Sequence, residues 1–254
     1  MSHAQLCAER RNMKISAIVP AAGAGERMGA SVRKQFLLLQ GQPIFLYTIR
    51  RLAASPLIGE IVLAAPRGDL EQVADMVAGA GLGLPVKIAP GGSARQESVA
   101  SGMGYTDPSA ELILVHDGVR PFVSAELVAK VAAAAEKTGA AVAGCRARDT
   151  LKRSRDGRLG ETIPRDDAVH IQTPQCFRRA ILIQALEAAE REGFSATDES
   201  SLVQRLGMDV AVVEAPFWNI KITTAEDMVL AEALAKRLEE DPGKSSKNGD
   251  AIGM

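Results

Sequence analysis

Apolar residues fall into two alternating kinds of run along this chain. Short, continuous β-branched or aliphatic runs occur at Lys14–Pro20, Ile58–Ala65, Val86–Ala89, Glu111–His116 and Ala140–Arg146. Between them, Ile44–Ala54, the stretch from Asp69 to Ala78, Ala94–Tyr105 and Val128–Lys137 carry their apolar residues at helical spacing. The first kind reads as strands buried on both faces, the second as helices packed by one face. Asp69, Ser93 and Ser124 stand where a side-chain oxygen can cap a helix start. Strand and helix in alternation predict βαβ units. The fold class is therefore α/β: a Rossmann-like, mostly parallel sheet with helices on both faces.

The pattern breaks at Thr150–Arg165, which is polar and centred on Asp156-Gly157. Asp-Gly between strand-like arms is a hairpin signal, so a β-arm at about 149–166 is expected to project from the sheet. Ala168–Gln172 resumes the core. Helices follow at Arg178–Glu192 and, capped by Asp198, at Glu199–Leu206; Val210–Glu214 and Ile220–Thr223 read as short strands, and Ala225–Leu238 as a helix. One domain over residues 13–238 accounts for all of these. Residues 1–12 read as an extension with little structure. The polar segment 239–254 reads as a disordered tail, because its composition cannot bury a core.

Composition narrows the class. At 46% hydrophobic and 24% charged residues the chain is an ordinary soluble globular protein. Aromatics are only 4%, which favours small aliphatics packed between helix and sheet. A formal net charge of −1, with no long basic run, excludes nucleic acid as the expected partner. Bound phosphates would have to be held by a few local cations. Cys7, Cys145 and Cys176 are odd in number and form no C-x-x-C, which argues against a disulfide framework or a zinc site. Cys145, in an apolar run, reads as a small buried hydrophobe. No apolar run reaches the roughly 20 residues that span a bilayer, and the first residues lack the apolar middle of a signal peptide. No membrane contact and a cytoplasmic location are expected.

Four motifs could carry chemistry. The first is Pro20-Ala21-Ala22-Gly23-Ala24-Gly25-Glu26-Arg27-Met28-Gly29, followed by Lys34. Small residues after a strand let backbone N–H groups approach phosphate oxygens, and Arg27 and Lys34 would add positive charge. The spacing fits neither G-x-G-x-x-G nor the Walker loop, and a glycine turn with solvated cations is the plain alternative. The second, Gly91-Gly92-Ser93-Ala94-Arg95-Gln96-Glu97-Ser98, is another glycine turn opening a helix. Both lie at strand C-termini, where doubly wound sheets bind ligands. The third, His116-Asp117-Gly118-Val119-Arg120-Pro121, offers a carboxylate suited to Mg²⁺; alternatively Asp117 caps a turn and pairs with Arg120. His116 reads as a satisfied core histidine. In the fourth, Asn219-Ile220-Lys221-Ile222-Thr223, the ammonium of Lys221 must reach an anion or snorkel to water.

These motifs in this order resemble the 2-C-methyl-D-erythritol 4-phosphate cytidylyltransferase family, over about residues 14–238. The likeness includes PAAGAGERMG…KQ, GG…R…SV, VHDGVRP, RDT-x-K, TPQ-x-F, TDE and NIKITT-x-ED. It implies an enzyme, a nucleotidyltransferase of isoprenoid precursor synthesis, that joins CTP to a polyol phosphate with Mg²⁺ as cofactor. By the same resemblance, Arg27 and Lys34 stabilise the transition state. Ala21, Ala22, Gly23, Gly92, Ser98, Asp117 and Gly118 bind the nucleotide, with Asp117 also serving the metal. Lys221, Arg165, Thr150 and Thr173 bind the acceptor. The resemblance further implies a homodimer whose β-arm swaps, so that Thr150 and Arg165 serve the partner's site. Two positions depart from the family's habit, Trp218 before Asn219 and Ser93 after the glycines. They bear on metal and ribose contacts and leave the reaction class intact. The residues after Leu238 are too few and too polar for a cyclase domain, so a monofunctional chain is expected. A ribitol-5-phosphate cytidylyltransferase, another sugar-phosphate nucleotidyltransferase and an inactive nucleotide sensor are the alternatives.

Overall fold

A computed structural model describes residues 15–23 and 33–240. The extension and tail expected at the two ends lie outside these residues, except for the helical positions 239 and 240. So does Arg27.

Seven strands form one sheet: β1 (Ile15–Pro20), β4 (Ile58–Ala65), β5 (Val86–Pro90), β6 (Leu112–Val115), β7 (Ala140–Arg146), β10 (Val169–Arg178) and β11 (Ala211–Glu214). Their order across the sheet is β11-β7-β10-β6-β1-β4-β5. All neighbours run parallel except β10, which is antiparallel to both β6 and β7. Two minor hairpins stand outside the sheet, β2 (Leu38–Leu39) with β3 (Gln42–Pro43), and β8 (Leu151–Arg155) with β9 (Arg158–Ile163).

The helices are α1 (Ile44–Ala53), α2 (Leu70–Ala78), α3 (Arg95–Met103), α4 (Ala125–Thr138), α5 (Arg179–Glu192), α6 (Glu199–Arg205) and α7 (Ala225–Glu240). Strand alternation divides the core in two. Ile15, Ala17 and Val19 of β1 pack with Phe45 and Ile49 of α1, Val73 of α2, and Leu127 and Val131 of α4. On the opposite face Ile18 packs with Val99 of α3, Leu182 and Leu186 of α5, and Leu202 and Val203 of α6. Both faces of the strands are therefore dry, which is why they read as continuous apolar runs.

A third, smaller cluster joins Leu39, Ile44, Val119, Phe122 and Ile222 to Ala231 and Ala235 of α7. It lies beside the loop that follows β6, where the site is built.

Local chemistry explains the helix ends. Ser124 accepts a 3.1 Å bond from the Leu127 N–H and starts α4, which Gly139 ends at φ +93°. The side chain of Asp198 accepts from Ser201 N–H and starts α6. Ser93, in contrast, is not the cap of α3. The helix begins later, at Arg95, and the Glu97 carboxylate takes the orphan N–H groups of Ser93 and Ala94 at 2.7 and 3.4 Å. The Asp156-Gly157 turn of β8 and β9 has φ +51° and +74°, the left-handed pair a two-residue hairpin requires.

Ile220–Thr223 is not a strand. Its backbone makes one bond to the loop after β6, Ile222 N–H to Val119 O at 2.9 Å, instead of a ladder. The expected Ala168–Gln172 strand is longer than its apolar signal, because Thr173-Pro174-Gln175 continues β10 across a register shift between Ile171 and Gln175. Cys145 is half-buried; Cys176 is the fully buried thiol, and burial pushes it up to about 12.

Candidate active site

From β1 the chain order runs through β4 and β5 on one side of the sheet, then jumps to β6 on the other. A doubly wound sheet opens a crevice where its order reverses, outside the strand C-termini. Here that crevice lies beyond β1 and β6, and three loops meet in it: Ala21–Gly23 after β1, Gly91–Ala94 after β5, and His116–Arg120 after β6.

The loops are tied to the sheet by backbone bonds. Ala21 N–H reaches Ala64 O at 2.8 Å, Gly91 N–H reaches Ala65 O at 2.7 Å, and Gly118 N–H reaches Pro20 O at 3.2 Å. Their approach is close enough to demand glycine: a Cβ on Gly91 would stand 2.1 Å from Ala22 Cβ. Ser98 braces the second loop, its hydroxyl accepting from Gly92 N–H at 3.1 Å and donating to Ala94 O at 3.2 Å. Ala21, Ala22, Gly23, Lys34, Gly92, Ser98, Asp117 and Lys221 thus line one cleft of about 150 Å³. Gly118 lies behind its wall, where a Cβ would touch Ala21 Cβ at 3.0 Å.

A second cleft, about 370 Å³, opens beside it between β10, α6 and the Lys221 segment. Thr173, Gln172, Gln175, Asp198 and Ser200 give it a hydroxyl- and amide-rich lining suited to a polyol. Arg95, Asp117 and Lys221 line both clefts and form the wall between them.

That wall is an ion cluster. Asp117 is 6% exposed; its Oδ1 accepts from Arg95 Nε at 2.9 Å, and its Oδ2 lies 2.9 Å from Lys221 Nζ and 3.5 Å from Arg120 Nε. Burial alone would raise its pKa. The charges of Arg95, Lys221 and Arg120 outweigh burial and hold the carboxyl far below the usual range. Behind the cluster His116 is fully buried, its Nε2 3.0 Å from Arg120 O and its Nδ1 3.0 Å from Thr173 Oγ1. Burial depresses it to about 4, so it is neutral at pH 7 and serves the core. Thr173 also accepts from Asp117 N–H at 3.0 Å, which couples β10 to the cluster.

Lys221 reaches the cluster because Ile222 beside it is fully buried. Burying such a side chain contributes roughly 1.5–3 kcal/mol, enough to pin the segment and turn the lysine the other way. Asn219 is held by its amide, which donates to Gln172 Oε1 and Thr173 O at 2.8 Å each. Trp218 packs partly buried on the α7 cluster. Phe217 lies under the Arg148 guanidinium, 4.4 Å away at the root of the arm.

Thr150 and Arg165 are exposed on the arm and line neither cleft of their own chain. Two participants carried no assigned role in the sequence reading, Arg95 and Glu199. Arg95 Nη1 lies 2.7 and 2.6 Å from the two Glu199 oxygens, a pairing across 104 positions that no local pattern signals.

Among the described residues no group of three or more His, Cys, Asp or Glu could hold a metal unaided. Among the described residues, Asp117 is the one carboxylate lining the glycine-walled cleft. Its Oδ2 is paired with Lys221 and would be open to Mg²⁺ once that ammonium turns to a phosphate; Mg²⁺ binds through one or two carboxylates and takes phosphate oxygens for the rest.

Comparison with known proteins agrees with this geometry. The model of the family described as IspD, 2-C-methyl-D-erythritol 4-phosphate cytidylyltransferase, matches residues 15–237. A protein of that name from Solibacter usitatus is 43% identical over 245 residues, 92% of this chain and 99% of its own length. Its counterpart from Syntrophus aciditrophicus is 41% identical, over 89% of this chain and 97% of its own. The crystal structure of the enzyme from Thermus thermophilus superposes with a TM-score of 0.74 at 38% identity, covering 88% of this chain and all of that one. With its crevice at the β1–β6 reversal and its match running from the first strand into the last helix, the chain belongs to the 2-C-methyl-D-erythritol 4-phosphate cytidylyltransferase family.

Proposed function

We propose that this chain transfers the cytidylyl group of CTP to 2-C-methyl-D-erythritol 4-phosphate, releasing pyrophosphate. The observation that carries this reading is the shared wall. Arg95, Asp117 and Lys221 separate a glycine-walled cleft from a polyol-sized one. Two phosphorylated substrates seated in these clefts meet at the cations.

The chemistry needs no covalent enzyme intermediate. An oxygen of the acceptor phosphate attacks the α-phosphorus of CTP. A new P–O bond forms, and the bond to the β-phosphate oxygen breaks in line with it. The pyrophosphate leaves with that electron pair. Charge grows on the nonbridging α-oxygens and on the leaving group, so positioning and electrostatic stabilisation are what the protein supplies. Lys34, lining the glycine-walled cleft, is suited to the α-phosphate. Arg27, outside the described residues, is assigned the same stabilising role by its place in the PAAGAGERMG motif. The small-residue loops would present backbone N–H groups to the triphosphate and read the pyrimidine edge. Lys221 and Thr173 would hold the acceptor phosphate. Asp117 would hold Mg²⁺ with the substrate's own phosphate oxygens, and the ion when bound supplies neutralising charge on the triphosphate.

Thr150 and Arg165 are proposed to act on the acceptor of a second protomer. Residues 152–162 of the arm are exposed throughout. A two-stranded hairpin without a buried face is marginal in water, so a partner subunit is its natural support. Leu159, 76% exposed on that arm, supplies an apolar contact for it. A cytoplasmic location fits a chain in whose described residues no helix is long and apolar enough to cross a membrane.

The deciding experiment is pyrophosphate release from CTP with each of two acceptors, methylerythritol 4-phosphate and ribitol 5-phosphate, in Mg²⁺. Turnover is expected with the first; preference for the second overturns the substrate assignment. Binding of CTP without release in either case overturns the enzymatic reading itself.

A further inference from the structure

We propose that Glu199 is a positioning residue for cytidylyl transfer, acting through Arg95 to set the wall between the two clefts. The inference rests on the functional reading above and assigns a role to a side chain that lines neither cleft.

Glu199 is 1% exposed. Hiding a carboxylate costs several kcal/mol unless a partner and hydrogen bonds offset it. Helix α6 does not need this residue for packing, since Leu202 and Val203 fill that role against the sheet. Both Glu199 oxygens instead close on a single nitrogen of Arg95, at 2.7 and 2.6 Å. Arg95 Nε is then left to bind Asp117 Oδ1 at 2.9 Å. A planar guanidinium held by two carboxylates on different edges has no remaining rotational freedom. Its third nitrogen, Nη2, is buried without a hydrogen-bond partner among the described residues. Arg95 therefore sits where the two carboxylates hold it, at the expense of one donor.

The consequence falls on Lys221. Asp117 divides its charge between Arg95 on Oδ1 and Lys221 on Oδ2. With Arg95 held by Glu199, Asp117 is already satisfied on one side, and the half-exposed ammonium of Lys221 can yield to an incoming phosphate. Without Glu199 the guanidinium keeps Asp117 as its one carboxylate partner and turns toward it, and Asp117 and Lys221 shift from the positions that meet the acceptor phosphate. Removing the Glu199 charge also leaves three cations around one carboxylate, which alters the field at the meeting point of the two phosphates.

A buried pair that merely anchors α6 to α3 predicts a different outcome. The test compares the parent enzyme with Glu199→Gln and with the double variant Arg95→Gln/Glu199→Gln. Thermal melting is measured beside kcat and the KM for each substrate. The double variant removes both charges, so no ion is left buried alone. We expect Glu199→Gln to lower kcat by about 10²-fold, the scale for displacing a reacting group by an ångström, and to raise the acceptor KM more than the CTP KM. The double variant should melt near the parent yet be no more active than the single one, because the two side chains act as a unit. Parent kinetics in Glu199→Gln overturn the proposal, as does a loss accounted for by unfolded protein. So does a double variant that regains parent kcat or fails to fold. If the parent itself releases no pyrophosphate, the functional reading fails first; if it turns over and Glu199→Gln equals it, this inference alone fails.

Discussion

Gly91→Ala tests whether the crevice depends on the close approach of its loops. The added Cβ would stand 2.1 Å from Ala22 Cβ, 3.1 Å from Ala65 O and 3.3 Å from Ser98 Oγ. Ala22 Cβ is bonded directly to the backbone, so no rotamer change relieves the clash. Carbon atoms in contact sit at about 3.5–4.0 Å, so the loops must part by roughly 1.4 Å or more. Both are tied to the end of β4, through Ala21 N–H to Ala64 O and Gly91 N–H to Ala65 O, and parting them strains or breaks one of those bonds. Overpacking of this kind costs about 1–3 kcal/mol. At about 2–4 °C per kcal/mol for a chain of this size, the melting temperature should fall by roughly 2–12 °C. An ångström of displacement at a phosphate site should also reduce kcat/KM for CTP by about 10²-fold. The assay pairs thermal melting with pyrophosphate release at varied CTP. Gly23→Ala is the control: among the described residues nothing lies within 4 Å of its Cβ, so it should melt like the parent and lose only CTP affinity, where the ligand approaches the backbone. A Gly91→Ala enzyme with parent melting temperature and parent kcat/KM would refute the reasoning.

Three further outcomes are expected. Lys34→Ala should lower kcat by about 10²–10³-fold while changing CTP affinity much less, read by single-turnover kinetics and direct CTP binding; an unchanged kcat removes Lys34 from the α-phosphate. Arg165→Ala should raise the acceptor KM. Mixing it with a Lys34→Ala chain should regain activity, because one of the two sites in each heterodimer then joins an intact arm to an intact cleft; no recovery would end the swapped-arm reading. His116, depressed from about 6.5 to about 4 by burial, binds more protons unfolded than folded between those values. Stability should therefore fall as pH drops from 7 toward 4. Asp117 contributes only below its ordinary range, and Glu199, raised by burial, works in the opposite direction. Urea unfolding at pH 7 and pH 5 checks this: the parent should lose more stability than His116→Gln, and equal losses would reject it.

Much of this protein is legible from one dimension. The continuous strands, the helical spacing and the Asp156-Gly157 hairpin all arise from interactions within a few residues, so local pattern suffices to predict them. The loops of the crevice are legible for a related reason: a parallel sheet places every strand's C-terminus on one rim, and glycine there announces close backbone approach. Ile220–Thr223 marks the limit. Its alternation is that of a strand, but its Lys221 and Ile222 are directed by the ion cluster and by the apolar contact with α7, not by a ladder.

What the sequence determined by itself was the class of fold, the family motifs and the loops that carry them. The tertiary structure alone decided that Arg95, Asp117 and Lys221 form one wall and that Glu199 stands behind it. The physical reason is range. Backbone propensity and side-chain periodicity act over a few residues. Burial of a charge is settled by whichever partner the fold delivers, and for Glu199 that partner lies 104 positions away.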